Sequence, residues 1–249
     1  MILSLLLAAA QSAAAPALVA PPEDPAYKNC IAKVQTAPEQ AVEHASDWRV
    51  QGGGLAARQC LGLAYVALER WQDAALAYEQ GARDAAAMKN PAAADFWAQS
   101  GNAWLAMNDA ARAKTAFDAA LTVEGTVPAL RGEIHLDRAR ADVARGDLVA
   151  ARVDVDQALT LVAEDPFAWY LSAALADRQN DAVRAASDIA KAVELAPDDA
   201  DVLLQAGTIA GKAGKEDEAR AYYERAAKAD PNGPAGRAAA AALGGPGEE

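Results

Sequence analysis

Small and apolar positions return along this chain at helical spacing, and the pattern itself repeats. Residues 200–233 lie under 166–199 without a gap, and both lie under 132–165, which sets a period of about 34 residues. Two earlier copies, 55–88 and 94–127, fit the same frame once short connectors containing Pro91 and Pro128 are allowed. Each copy reads as two helices joined by a turn. One small site recurs in every first helix, at Gly62, Gly101, Ala139, Ala173 and Gly207. Two recur in every second helix: Ala74, Ala113, Ala151, Ala185 and Ala219, then Gly81, Ala120, Ala158, Ala192 and Ala226. Larger apolar residues keep the same register on the second helices, at Tyr78, Phe117, Val155, Ile189 and Tyr223. Antiparallel helices approach closely only where side chains are small, so the two patterns together predict stacked helical hairpins with the small sites at their contacts.

Turn residues agree with that frame. Gly146-Asp147, Asn180-Asp181 and Gly214-Lys215 fall between paired helices, where a left-handed residue ends the first of them. Pro197 and Pro231 follow second helices. Ahead of the first copy, residues 21–54 read as an N-terminal helical cap, with Pro38 starting its second helix and Gly52-Gly53-Gly54 closing it. After the last copy, Ala235 to Leu243 suits a short capping helix, and the segment 234–249 ends in a frayed tail.

Leu203, Ala206, Gly207, Gly214, Ala219, Tyr222, Tyr223, Ala226 and Pro231, together with Trp169, Ala173, Ala185, Ala192 and Pro197, resemble the tetratricopeptide repeat family. The resemblance covers roughly Leu55 to Gly233. Asp142 stands where the family usually has an aromatic, and Ala163 replaces the closing proline. The resemblance implies an all-α fold: a right-handed superhelical solenoid of antiparallel helix pairs, five full repeats after the cap, with a concave groove that binds a protein or peptide. Outward positions on the first helices face such a groove, which makes Asp95, Asn102, Glu133, Arg140, Tyr170 and Thr208 the candidate binding residues. The carboxylate clamp of chaperone-binding members is not expected, because Gln59 and Leu63 occupy its first two places. Trp104, Trp169 and Tyr223 read as packing between helices rather than as ligand platforms.

Composition sharpens the picture. Alanine makes up roughly a quarter of the chain, which suits closely packed helices. A net charge of -12, with no basic stripe, repels phosphate backbones and argues against nucleic acid as a partner. Residues 1–20 read as a signal peptide, an apolar run followed by small residues, although the usual positive charge at the start is missing. No second apolar run of spanning length follows, so a periplasmic or secreted protein without an integral membrane segment is expected after cleavage. Cys30 and Cys60 lie on consecutive first helices of the frame. In an oxidising compartment that placement favours a disulfide, the alternative being two buried thiols. His44 and His135 are not at ligand spacing from them, so no metal site is expected. No nucleophile elbow or phosphate-cradling loop is present, and the carboxylates cluster at helix starts, where they complement the helix dipole. No catalytic residue and no cofactor is assigned. The reading is a non-catalytic interaction scaffold of the cell envelope using its groove, or alternatively a structural subunit of a larger envelope, pilus or secretion assembly using its convex face and ends.

Overall fold

The computed structural model describes residues 24–244, and the leader expected over 1–20 and the last residues of the tail lie outside them. Thirteen α-helices and no strands occur among the described residues. The chain divides into two compact units between Gly146 and Asp147. The third copy of the frame therefore has its first helix in one unit and its second in the other.

Unit one contains α1 (Pro25–Thr36), α2 (Pro38–Val50), α3 (Gly54–Ala67), α4 (Trp71–Ala87), α5 (Ala92–Ala106), α6 (Ala110–Leu121) and α7 (Pro128–Arg145). Each helix packs on the next, and first helices also touch one another, α1 on α3 and α5 on α7. Unit two contains α8 (Leu148–Leu161), α9 (Pro166–Arg178), α10 (Ala182–Leu195), α11 (Ala200–Lys212), α12 (Glu216–Ala229) and α13 (Pro234–Gly244). Here too neighbours pack in order, with α9 against α11 and α11 against α13. Both units are all-α helical repeats.

The small sites explain why these helices pair. All fifteen are buried. On the first helices the glycines form seats for second-helix rings. A Cβ at Gly62 would collide with the Tyr78 ring, one at Gly101 would lie 2.5 Å from the Phe117 ring, and one at Gly207 would lie 2.6 Å from the Tyr223 ring. Gly81 does the same for the next hairpin, with Phe96 at 2.6 Å. In unit two the seat of α9 is Ala173, and it shares a buried cluster with Ile189, the residue of α10 in the aromatic register. A glycine thus goes with a ring, and there an alanine goes with a branched aliphatic.

A common turn joins the two helices of each copy. The residue before the second helix's N-cap has positive φ in all five: Glu69 (54°), Asn108 (59°), Gly146 (83°), Asn180 (60°) and Gly214 (74°). Asp109, Asp147 and Asp181 then cap α6, α8 and α10 by accepting from the backbone N–H three residues on. The ends are closed differently. At the N-terminus, a disulfide joins Cys30 of α1 to Cys60 of α3, and both cysteines are fully buried beside Ala45 and Leu61. At the other end α13 lays Ala239 on Leu203 and Ala226.

Candidate functional site

Because the small sites point the first helices' inner sides at their neighbours, the residues left over define a second face, and in unit one that face is polar. Two hydrogen-bonded groups run across it. In the first, Gln59 of α3 donates from Nε2 to Oε1 of Gln99 on α5 at 2.9 Å, and Gln99 donates in turn to Oδ2 of Asp95 at 2.7 Å. In the second, Asp137 of α7 accepts from Asn102 Nδ2 of α5 at 2.7 Å and from Arg140 Nη1 at 2.8 Å. Spacing explains the membership: Asp95 and Gln99 are one helical turn apart, as are Glu133 and Asp137.

Asp95 is the unusual member. Only 2% of it is exposed, and burial pushes its carboxyl up to about 7, with Glu133 adding to the rise and the Gln99 hydrogen bond opposing it. Its charge in turn raises the phenols of Tyr78 on α4 and Tyr27 on α1, both already raised by burial. The carboxyl is therefore within electrostatic reach of two phenols and of a second acid.

Four of the six sequence-predicted residues, Asp95, Asn102, Glu133 and Arg140, come together on this face. The other two lie in unit two and engage their surroundings differently. Tyr170 is half-buried and stacked on Phe167 at 6.1 Å, its phenol raised by burial and by Asp201 and Asp199. Thr208 turns its hydroxyl to its own helix, donating to the Leu204 carbonyl at 2.9 Å. A hydroxyl spent on the i−4 carbonyl is satisfied without a ligand. Sequence reasoning missed Tyr27, Gln99 and Asp137 as members, and it weighed Gln59 only as a missing lysine. The i, i+4 spacing from Asp95 and Glu133 was the available signal for two of them.

The aromatics pack. Trp104 is buried, donates from Nε1 to Glu79 at 3.1 Å and lies under the Arg112 guanidinium at 3.8 Å. Trp169 donates to the carbonyl of Ala163 at 2.7 Å, so the residue in the proline's place supplies an acceptor. Asp142, in the place of an aromatic, is buried and pairs with Arg145 at 3.5 Å. A polar interlock also ties α8, α9 and α10: Arg152 donates to Ser172 at 3.0 Å, Ser172 donates to Asp188, and Arg184 reaches both Asp188 and Asp156. Every one of these groups faces another, which makes the interlock a packing device rather than a reactive site. Among the described residues no helix is long and apolar enough to cross a membrane.

Stacked hairpins of this kind define a helical-repeat protein. Residues 200–232 match the tetratricopeptide repeat family model. One hairpin of the chain is thus a tetratricopeptide repeat, and the rest shares the fold of proteins built from such repeats. Solved structures share the fold at low identity. PilW, described as a widely conserved type IV pilus biogenesis factor, superposes with a TM-score of 0.68 at 18% identity, over 85% of this chain and 95% of that one. PilF of Pseudomonas aeruginosa gives 0.64 at 16%, over 87% and 96%. YrrB, described as a tetratricopeptide-repeat protein with an unusual peptide-binding site, gives 0.55 at 16%, over 79% and 95%. No curated protein matches the sequence.

Proposed function

We propose that the chain is an envelope adaptor without chemistry of its own, and that it receives a segment of a partner protein on the polar first-helix face of unit one. The observation that carries this reading is the pair of hydrogen-bonded groups spanning α3, α5 and α7. Polar side chains that merely cover a surface have no need to be ordered across three helices, whereas a recognition surface gains affinity from being organised beforehand. Action outside the cytoplasm is supported by the apolar leader pattern and by the buried Cys30–Cys60 disulfide, since such bonds persist in oxidising compartments. Protease treatment of intact and of outer-membrane-permeabilised cells tests location: digestion only after permeabilisation is expected, and protection in both sinks the periplasmic assignment.

The binding reading is tested by crosslinking in cells with wild-type chain and with N102A/R140A. Loss of a defined crosslinked partner from the double variant, with its helical content unchanged, is the expected result. An alternative reading, a structural subunit that uses its second-helix face, is favoured by one observation: Val149 and Val153 of α8 and Val183 of α10 are 76%, 59% and 83% exposed. The description of PilW as a pilus biogenesis factor fits either reading. Partner loss in V149D/V153D but not in N102A/R140A favours the second.

A further inference from the structure

We propose that the outer side of α13 is a docking site for one helix of another protein, which fills the place of a second helix there. The site lies in unit two and shares no residue with the first-helix face of unit one. Carried on by one more period, the frame makes α13 a sixth first helix, packed on α12 and α11 as α11 packs on α10 and α9. One side of it is used in the usual way, with Ala235, Gly236 and Ala239 buried. The other side is not. In α11, Leu203, Ala206, Gly207 and Ala210 are buried, and Gly207 lies under the Tyr223 ring of its own second helix. The same register in α13 gives Arg237, Ala240, Ala241 and Gly244, and all four are exposed. Ala241 thus stands where Gly62, Gly101, Ala139, Ala173 and Gly207 stand, as a seat that nothing fills among the described residues. A cleft of about 260 Å³ opens at the end of the same helix, lined in part by Ala219, Tyr223, Ala242 and Leu243.

Contacts elsewhere in the molecule define the helix that fits. An alanine seat goes with a branched aliphatic, as Ala173 does with Ile189. Arg58, in the register of Arg237, pairs with Asp84 of its own second helix at 2.9 Å, and Asp84 stands six residues after Tyr78, the ring over Gly62. Arg184, five residues before Ile189, reaches Asp156 of the preceding second helix. On α12 the residue in the register of Asp156 is Glu224. Both ends of this charge pattern are open on the last hairpin. Arg237 donates from Nη1 to the Asn232 carbonyl, Glu224 is exposed, and neither has an ion pair among the described residues. The complementary helix runs antiparallel to α13 and bears lysine or arginine for Glu224, valine or isoleucine five residues on for Ala241, and an acid six residues further for Arg237. A folded second copy has no such helix to offer, because Val155 and Ile189, its branched aliphatics in this register, are already buried at 2% and 5% exposure.

The probe is a synthetic peptide of α10, residues 182–195 with Leu195→Asp, which has arginine, isoleucine and aspartate at those spacings. Constrained as a helix, since so short a segment is barely helical alone, and labelled with fluorescein, it is titrated against the full chain by anisotropy. Saturable binding is expected. A241E should weaken it at least about tenfold by setting a charge under the aliphatic. R237E should weaken it about fivefold, and a peptide with Leu195→Lys should recover that loss. Both positions are exposed, so the chain's own folding is not at stake. N102A/R140A should bind the peptide as the wild type does. In cells, a chain with Ala240→p-benzoylphenylalanine should crosslink to another protein, and mass spectrometry of the crosslinked segment should show the same spacing. The inference is overturned by a peptide that does not bind, by equal binding to wild type and A241E, or by loss of the peptide from N102A/R140A. No crosslink, a crosslink to a second copy of the chain, or a crosslinked segment without the spacing overturns it as well.

Discussion

A carboxyl buried without a counter-charge makes the molecule's stability a function of pH. Asp95 ordinarily ionises near 4 in an unfolded chain, and in the fold it is pushed up to about 7. Below about pH 4 both states hold the proton and the site costs nothing. Between about 4 and 7 the unfolded chain releases the proton while the folded one keeps it, so stability falls as pH rises, by up to about 1.4 kcal/mol per unit. Above 7 the loss is complete and levels off. D95N keeps an acceptor for Gln99 and removes the ionisation. Urea unfolding should show D95N more stable than wild type at pH 8, by on the order of 2 kcal/mol or more, with the gap closing toward pH 4. A variant no more stable at pH 8 would mean that the carboxyl is solvated in the fold. Glu69 offers a second residue-scale test, because it is the one hairpin-turn residue of positive φ that is neither glycine nor asparagine. The left-handed conformation costs an ordinary L-residue about 1 kcal/mol, so E69N should raise the midpoint of unfolding by a few tenths to 1 kcal/mol, read by the same titration.

At the level of helices, what holds a hairpin together is volume shared between one small seat and one large neighbour. Gly207 of α11 receives Tyr223 of α12, and a methyl group there has nowhere to go. G207A should cost about 1–3 kcal/mol by overpacking, less the several tenths that alanine gains over glycine inside a helix. The copy of α9 and α10 combines an alanine seat, Ala173, with Ile189, so Y223I added to G207A should recover much of the loss. A double-mutant cycle in urea checks this: additive effects would show that the seat and the ring do not share one volume. This element-level logic was legible in the sequence, since seats and rings stood in register before any coordinate was known. Position along a helix also placed Asp95, Asn102, Glu133 and Arg140 on one face. What stayed hidden was three-dimensional. Tyr27 senses Asp95 from a cap helix outside the repeat frame, Thr208 stands in the register of Asn102 and Arg140 yet spends its hydroxyl on its own helix, and Tyr170 stacks on Phe167. Period fixes which face a residue shares, but not whether a neighbour has already taken its hydrogen bond.

For the whole molecule the consequence of stacking is that stability is local: each helix rests on its neighbours, so damage at one end spreads only as far as the contacts carry it. The Cys30–Cys60 disulfide tests this. It joins cysteines 30 residues apart in sequence and fastens α1 to α3 in unit one, where among the described residues α1 packs on α2 and α3. Constraining a loop of that size stabilises the folded state by about 3–4 kcal/mol in the chain-entropy model. In C30A/C60A that loss should fall on α1 and α2 first, with amide exchange there accelerated tens-fold or more while the amides of α11 and α12 keep their protection. Because Tyr27 of α1 lies within electrostatic reach of Asp95, loosening α1 should also admit water to the buried carboxyl. The pH dependence of stability in C30A/C60A should therefore be shallower than in the wild type. Uniform acceleration of exchange across both units would show instead that the chain unfolds as one cooperative body, and that the end bond secures all of it rather than its cap.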